Sequence, residues 1–590
     1  MRIRSTIVAL LLQLAIPVCG QVTDLLVSGE ELCATNRMNV GAALRLLAPE
    51  TSSDVLLLID GARQEVGTLE MLSVYDVAAV RIMRNSGQQI RWCTRHQTIV
   101  ELTTRKMKGG NVNATYHGDW SIGRQHRHQA DVEGSDSIVG YLLSAYGVSK
   151  RNDGDQDEDD LGLRAYISYR RGGLHLHNDI GFRHSDVETG AGSFTEHRTA
   201  RLTDRFGGEL KIMKGLRLTG DFSFAYRHTT SDRFLSPSSD VFAGIEDARQ
   251  RGSYQKGVTR DLTYEGGLQL QGSWKTERGA WRAEAGTRLY SGQLEGDSYG
   301  GIGILSDRMA YISFTLGYDT AGVRQASRQY ERTLTSWAIV GYELDGRYGV
   351  NGGVSLWHSS LLAPHHRTAM RGYGEVYWKV SQPANMMVAF SHSITGFVPF
   401  SNQDFSTLYV NRNDEQYIYN YYLTGTRLVH EADEDLRPAR TTTEQLSVNA
   451  TWRRLAAMLR LYHEETKYAP LPANNGVELD TRVPLVSQKS FRLSAGAGIR
   501  YDHLTRGHLT VQATSGPWDA HVAIGGDDDL GQSSVQLNYR FLPAKAPDAG
   551  KTVLGAKSLA LGASVLNPVR WQPDGWTQPR QYVLSLSFGF

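Results

Sequence analysis

The sequence predicts an all-β transmembrane barrel of some twenty antiparallel strands, preceded by a small N-terminal α/β domain. Three observations predict it. Apolar and polar residues alternate with period two from about residue 107 onward; compact glycine turns separate that region into segments joined elsewhere by long polar stretches; and the alternation runs to the last residue, Phe590.

The N-terminus comes first. A basic start (Arg2, Arg4), an apolar run from Ile7 to Val18 and small residues before Gln21 read as a cleaved secretory signal over residues 1–20. Ile16, Pro17 and Val18 make a poor lipoprotein box before Cys19, so a soluble periplasmic mature N-terminus is expected. Beyond the signal no stretch reaches the ~18 apolar residues of a spanning helix, and mean hydropathy is -0.37. A membrane barrel has the same average, because its strands are apolar on one side only. Lys and Arg total 63 against 62 Asp and Glu, a net charge of +1, which removes the electrostatic case for a nucleic-acid partner.

Residues 21–106 read as a mixed α/β domain. Asn39 is placed to cap a helix carrying Ala42, Ala43, Leu44 and Leu47; Val55 to Ile59 is an apolar strand ending in Asp60-Gly61; Asp76 to Met83 begins a second unit; and Ile99 to Thr104 is a further strand. From 107 to 590 the barrel pattern takes over. Val112, Ala114, Tyr116 and Trp120 oppose Asn113, Thr115, His117 and Asp119. Leu216, Leu218, Phe222, Phe224 and Tyr226 oppose Arg217, Thr219, Asp221, Ser223 and Arg227. A soluble sandwich also alternates, so the connections carry weight. Turns at Gly172-Gly173, Lys214-Gly215, Arg278-Gly279 and Asp345-Gly346 contrast with polar stretches at 184–199, 229–260 and 391–438, as expected for short turns on one rim and long loops on the other. The final strand, with Tyr582, Leu584, Leu586, Phe588 and Phe590 on one face, ends as outer-membrane barrels end.

The first domain resembles the plug of TonB-dependent transporters of the SusC/RagA type. Val27 to Leu32 resembles that family's entry segment, Leu58-Ile59-Asp60-Gly61 its "VIDG" strand end, Leu72 to Arg84 its next conserved-pattern stretch with Asp76, Val80 and Met83 in register, and Leu102-Thr103-Thr104-Arg105-Lys106 its closing "ITTKK". Arg440 to Lys467 and the Pro579-Arg580 entry to the last strand resemble late barrel segments. Two departures stand out. The Gly-containing segment before the VIDG strand is missing, and a Gly-rich loop is replaced by Ile90-Arg91-Trp92-Cys93-Thr94-Arg95-His96. Glycine permits backbone conformations that other residues resist, so the plug loops are expected to be remodelled.

The resemblance implies a barrel of about 22 antiparallel strands and nutrient uptake, of oligosaccharides or peptides, driven by the TonB energy transducer, with a SusD-like surface lipoprotein as partner and outer-membrane lipid around the wall. A transport-inactive plugged barrel serving as receptor or scaffold is the alternative. The candidate TonB box is Thr23, Asp24, Leu25, Leu26, Val27 and Ser28; the same residues also read as the first plug strand. Asp60, Gly61, Asp76, Thr103 and Thr104 carry the plug motif. Cys33 and Cys93, left after signal removal in an oxidising compartment, are a candidate disulfide.

Enzyme motifs are scarce, and neither an enzyme nor a cofactor is expected. There is no Gly-x-Ser-x-Gly, His463-Glu464-Glu465 lacks the second histidine of a zinc helix, and Gly550-Lys551-Thr552 lacks its upstream glycine. The acidic run from Asp153 to Asp160 fails the EF-hand pattern at Glu158 and Arg164 and reads as a solvated loop, as does Asp527 to Asp529.

Overall fold

The structure is a computed structural model. It describes residues 25–589 apart from 35–38, 48–54, 65–67, 70–71, 73, 85–86, 93–97, 105–109, 122–124, 137, 152–155, 191–192, 247–250, 303–322, 382–384, 398–407, 419–420, 431–436, 453–454, 469–472, 489–490, 502–504, 527–530, 543–557 and 567–580. The signal segment, Thr23, Asp24, Cys93 and the Asp527 to Asp529 and Gly550 to Thr552 stretches lie outside the described residues.

The N-terminal domain is built from β1 (Leu25–Ser28), α1 (Gly29–Ala34), α2 (Val40–Leu47), β2 (Val55–Ile59), β3 (Ala62–Gln64), β4 (Val77–Arg84) and β5 (Thr98–Thr104). Its sheet runs β1-β4-β5-β2-β3, with β2 parallel to β5 and the other pairs antiparallel. Both helices start on side-chain caps. Ser28 and Glu31 form a reciprocal capping box, the Ser28 N–H donating to Glu31 Oε2 (2.7 Å) and the Glu31 N–H to Ser28 Oγ (3.2 Å). The Ala42 N–H donates to Asn39 Oδ1 (2.7 Å).

Alternation along β2 explains why the sheet is covered on both faces. Val55 and Leu57 join the core under the helices, with Leu32, Leu44, Val80, Ile82, Val100 and Leu102. Leu56 and Leu58 point the other way and cluster with Met83, Trp92 and Ile99. Fully burying one such side chain is worth about 1.5–3 kcal/mol, so this domain has a core of its own as well as a second apolar face.

Among the described residues twenty-two strands close into one antiparallel barrel, β6 (Gly110–Ser121) to β18 (Met386–Phe397) and β21 (Ala439–Trp452) to β29 (Gln581–Gly589), numbered in chain order. The hairpin of β19 (Leu408–Ile418) and β20 (Tyr421–His430) pairs only with itself. Closure comes from β29 against β6, Val583 opposite Ser121 through Gly589 opposite Thr115, which leaves no free edge. Phe222, Leu268 and Leu289 are more than half exposed on the outer face, while their neighbours Asp221 and Arg288 pair in the lumen at 3.0 Å. An apolar outside around a charged inside is the inverse of a soluble protein and is what lipid requires of a barrel wall.

The turns fall where the sequence places them. Gly172, Gly215, Asp345 and Gly346 all take positive φ at tight connections on one rim. The polar stretches are a correction. Residues 184–199 are mostly strand, and so are the two ends of 229–260, in β10 (Leu174–Thr189), β11 (Phe194–Met213), β12 (Leu216–Leu235) and β13 (Ser253–Lys275), with 236–252 left as the connection between β12 and β13. With β14 (Gly279–Ile302) and β15 (Val323–Leu344), strands β11 to β15 have 20 to 24 residues, whereas β24 (Phe491–Tyr501) to β29 have 9 to 12. About 9–11 residues span the bilayer, so one side of the barrel rises far above it. Polarity above the membrane does not stop strand pairing when a neighbour continues the ladder. The acidic run is corrected for the same reason: Asp157 to Asp160 belong to β9 (Gln156–Arg171), and Asp160 pairs with Arg183 at 3.1 Å in the lumen.

Candidate functional site between plug and barrel wall

The N-terminal domain sits inside the barrel, and its motif residues converge on the contact. Asp60 and Gly61 have φ of 49° and 85°, the two positive values that a two-residue hairpin between Ile59 and Ala62 demands. The Thr104 N–H donates to Asp60 Oδ1 (2.8 Å) and the Thr104 hydroxyl to Oδ2 (2.7 Å). The first and last motif segments, 44 residues apart, are thus tied by one carboxylate. Arg205 of β11 donates to the Ile59 carbonyl at 3.1 Å beside it. Thr103 faces outward, exposed, opposite Ala79.

Asp76 is the motif's second anchor. The Gln129 amide of β7 (Gln125–Ser135) donates to both Asp76 oxygens at 3.0 Å and lies 3.1–3.2 Å from those of Asp131. Burial and the Asp131 carboxylate push the Asp76 carboxyl up to about 6, against the opposing pull of Gln129, Arg127 and Arg164.

The segment that departs from the resemblance attaches the plug to the wall through four successive contacts, and sequence reasoning missed its role. Ile90 is fully buried against Trp337, Ile339 and Tyr373. Its socket exists because Gly353 of β16 (Tyr348–Ser359) has no side chain: a Cβ there would lie 2.7 Å from Ile90 Cδ1. Arg91 forks onto Glu284 of β14, Nε to Oε1 at 2.6 Å and Nη2 to Oε2 at 2.8 Å, and Trp337 Nε1 donates to the same carboxylate at 2.8 Å. The Trp92 ring lies under the Arg288 guanidinium at 4.2 Å, and its carbonyl accepts from Arg371 at 2.9 Å. Arg63 adds a pair to Glu265 at 3.2 Å. The signal available in the sequence was the replacement of small residues by Ile-Arg-Trp: bulk and charge where a loop tolerates glycine imply a socket.

Leu25 to Ser28 of the candidate TonB box form β1, pairing from Leu25 opposite Ile82 to Ser28 opposite Ala79. Val27 is buried and Leu26 is 46% exposed. Cys33 packs against the core under the helices, its sulfur 3.7 Å from the Val74 carbonyl; Trp92, which precedes Cys93, packs on the opposite face of the sheet. Among the described residues no three His, Cys, Asp or Glu side chains gather to hold a metal.

A cavity of about 650 Å³ separates the helix-free face of the plug sheet from the wall formed by β11 to β15. The plug contributes the Asp60-Gly61 turn, Arg81, Met83, Arg91, Trp92 and Glu101. The wall contributes Glu209, Lys211, Lys214, Arg217, Arg282, Glu284 and Arg288 among others, near the short-turn rim.

These features define a class, the plugged twenty-two-strand outer-membrane barrel. No family model matches the sequence, and no curated protein matches it. Solved structures do. The chain superposes on the structure of the RagAB peptide transporter with a TM-score of 0.79 at 10% identity, covering 97% of this chain and 100% of that one. It superposes on the siderophore receptor PirA from Acinetobacter baumannii at 0.66 and 10% identity, covering 96% and 98%, and on the ferric-catecholate import receptor Fiu from E. coli K12 at 0.64 and 10%, covering 96% of each chain. The fold is therefore one that this chain shares with those transporters and receptors.

Proposed function

We propose that this chain is an energy-coupled outer-membrane importer, in which force applied at the N-terminus displaces the plug and opens a path along the barrel wall. The observation that carries this reading is the position of β1. It is the edge strand of the plug sheet and the first described segment of the chain, so tension from upstream acts first on four residue pairs with β4. An edge strand can be peeled one hydrogen bond at a time, or extended by a donated strand, whereas a central strand must break two ladders at once. Thr23 to Ser28 is then the segment offered to a TonB-type transducer. The named peptide transporter among the structural neighbours supports a peptide or another polar oligomer as solute, and the resemblance supports a surface lipoprotein as partner.

The test compares uptake in cells that depend on this protein for a candidate nutrient. Leu26→Pro removes a backbone donor from β1, and deletion of the transducer removes the force. Both are expected to abolish uptake while heat-modifiable mobility shows that the barrel still assembles. Uptake indifferent to both changes refutes energy coupling.

A further inference from the structure

The lining of the cavity is unbalanced in charge. Its five carboxylates, Asp60, Glu101, Glu209, Asp221 and Glu284, all have partners. Asp60 accepts from Thr104, Glu284 and Asp221 are held tightly by Arg91 and Arg288 at 2.6 and 3.0 Å, and Glu101 and Glu209 meet Arg81 and Arg217 only loosely, at 3.7 and 3.9 Å. Seven basic side chains share the same lining, counting the five arginines named above with Lys211 and Lys214. Among the described residues no ion pair reaches either lysine. Both sit where β11 bulges between Lys211 and Met213 and turns into β12, at the mouth nearest the short-turn rim. Glu284 lies across β13 from Arg217, each in register with Gln271, so a tight and a loose pair stand side by side in the same lining as the two lysines.

A cavity walled by low-dielectric protein focuses the field of such an excess, raising the local concentration of counter-ions. A loose pair such as Arg217 with Glu209, whose side chains are 44% and 29% exposed, exchanges its carboxylate for an incoming one at little cost, since exposed pairs are worth only about 0–1 kcal/mol. We propose that this chamber is a transit site for an anionic group, a carboxylate or phosphate carried by the solute, on its way from the plug to the short-turn rim. The proposal rests on the transport reading for its direction of travel, but its test uses neither transport nor transducer, so failure of one is distinguishable from failure of the other.

Ser273 lines the chamber on β13, and Ser273→Cys changes one atom. In purified full-length protein with Cys33 and Cys93 replaced by Ala, the rates of modification by anionic and cationic methanethiosulfonates report the local potential. The anionic-to-cationic ratio is expected to exceed that of a small thiol in solution by about tenfold, in keeping with potentials of a few kT in charged clefts, and to collapse in the Lys211→Gln, Lys214→Gln background. Triglutamate should slow modification by a neutral reagent, and trilysine should not. A ratio equal to that of the free thiol, or equal protection by the two peptides, overturns the proposal. Met213→Cys, on the same lining, repeats the measurement if the first variant fails to assemble.

Discussion

Replacing Arg91 by Ala should loosen the plug by a predictable amount. The change removes two charge-assisted hydrogen bonds, at 2.6 and 2.8 Å, from a pair whose side chains are 18% and 12% exposed. Stripping the partner from a fully buried charge costs roughly 3–5 kcal/mol. Here Glu284 keeps the Trp337 indole N–H and the Gln271 amide and some contact with water, so about 2–3 kcal/mol of docking free energy is lost. That raises the undocked population roughly 30- to 150-fold. Planar-bilayer recording checks it, because a barrel of this strand number conducts when its plug leaves the lumen: Arg91→Ala should open far more often than the parent. Glu284→Ala should do the same, and the double variant should add little to either single change, giving a coupling energy above about 1.5 kcal/mol in the cycle. Parent-like opening in a fully assembled Arg91→Ala barrel, or strict additivity in the double variant, refutes the assignment of this pair as an attachment of the plug to the wall.

Three further outcomes follow from the same contacts. Gly353→Val should expel Ile90 and increase openings, because the new Cβ falls 2.7 Å from both Ile90 and the Tyr373 ring, whereas Gly374→Val, with nothing within 4 Å, should not. Asp60→Ala should make the plug more sensitive to protease by about 1–3 kcal/mol, through loss of both Thr104 bonds at a positive-φ position, while Asp60→Asn, which tolerates that φ and still accepts, should stay near the parent. The Asp76 carboxyl titrates near 6 when docked against an ordinary 3.8, so the docked state holds the extra proton: its contribution is fully present below pH 3.8 and is lost as pH rises through 6. Plug opening measured by proteolysis should therefore increase between about pH 4 and 6 in the parent and lose that slope in Asp76→Asn; an unchanged slope would remove Asp76 as the cause.

Much of the fold was legible because a lipid-facing wall imposes a strict rule on side chains. Each outward position must be apolar, so period two survives in Leu216 to Tyr226 and in the final strand without help from distant residues. The capping of α2 by Asn39, the β2 strand and the Asp60-Gly61 turn were legible for a similar reason: each depends on neighbours within a few residues. The strands above the membrane were not, since there both faces meet water and no alternation is enforced; residues 229–235 remain in β12 only because β11 and β13 continue beside them.

What the sequence by itself determined, then, is everything set by short-range chemistry and by the solvent outside the wall: a barrel, a small α/β domain ahead of it, tight turns on one rim. What only the tertiary structure decided is how the two parts meet. Arg91 and Glu284 stand 193 positions apart, and Trp92 and Arg371 are separated by 279. No local pattern marks either as a partner of the other, because an ion pair is chosen by the position of two rigid bodies and not by the residues flanking it. The same holds for the chamber of Lys211 and Lys214, whose excess of basic side chains lies on the barrel wall and becomes an enclosed cavity only where the helix-free face of the plug sheet is held opposite β11 to β15.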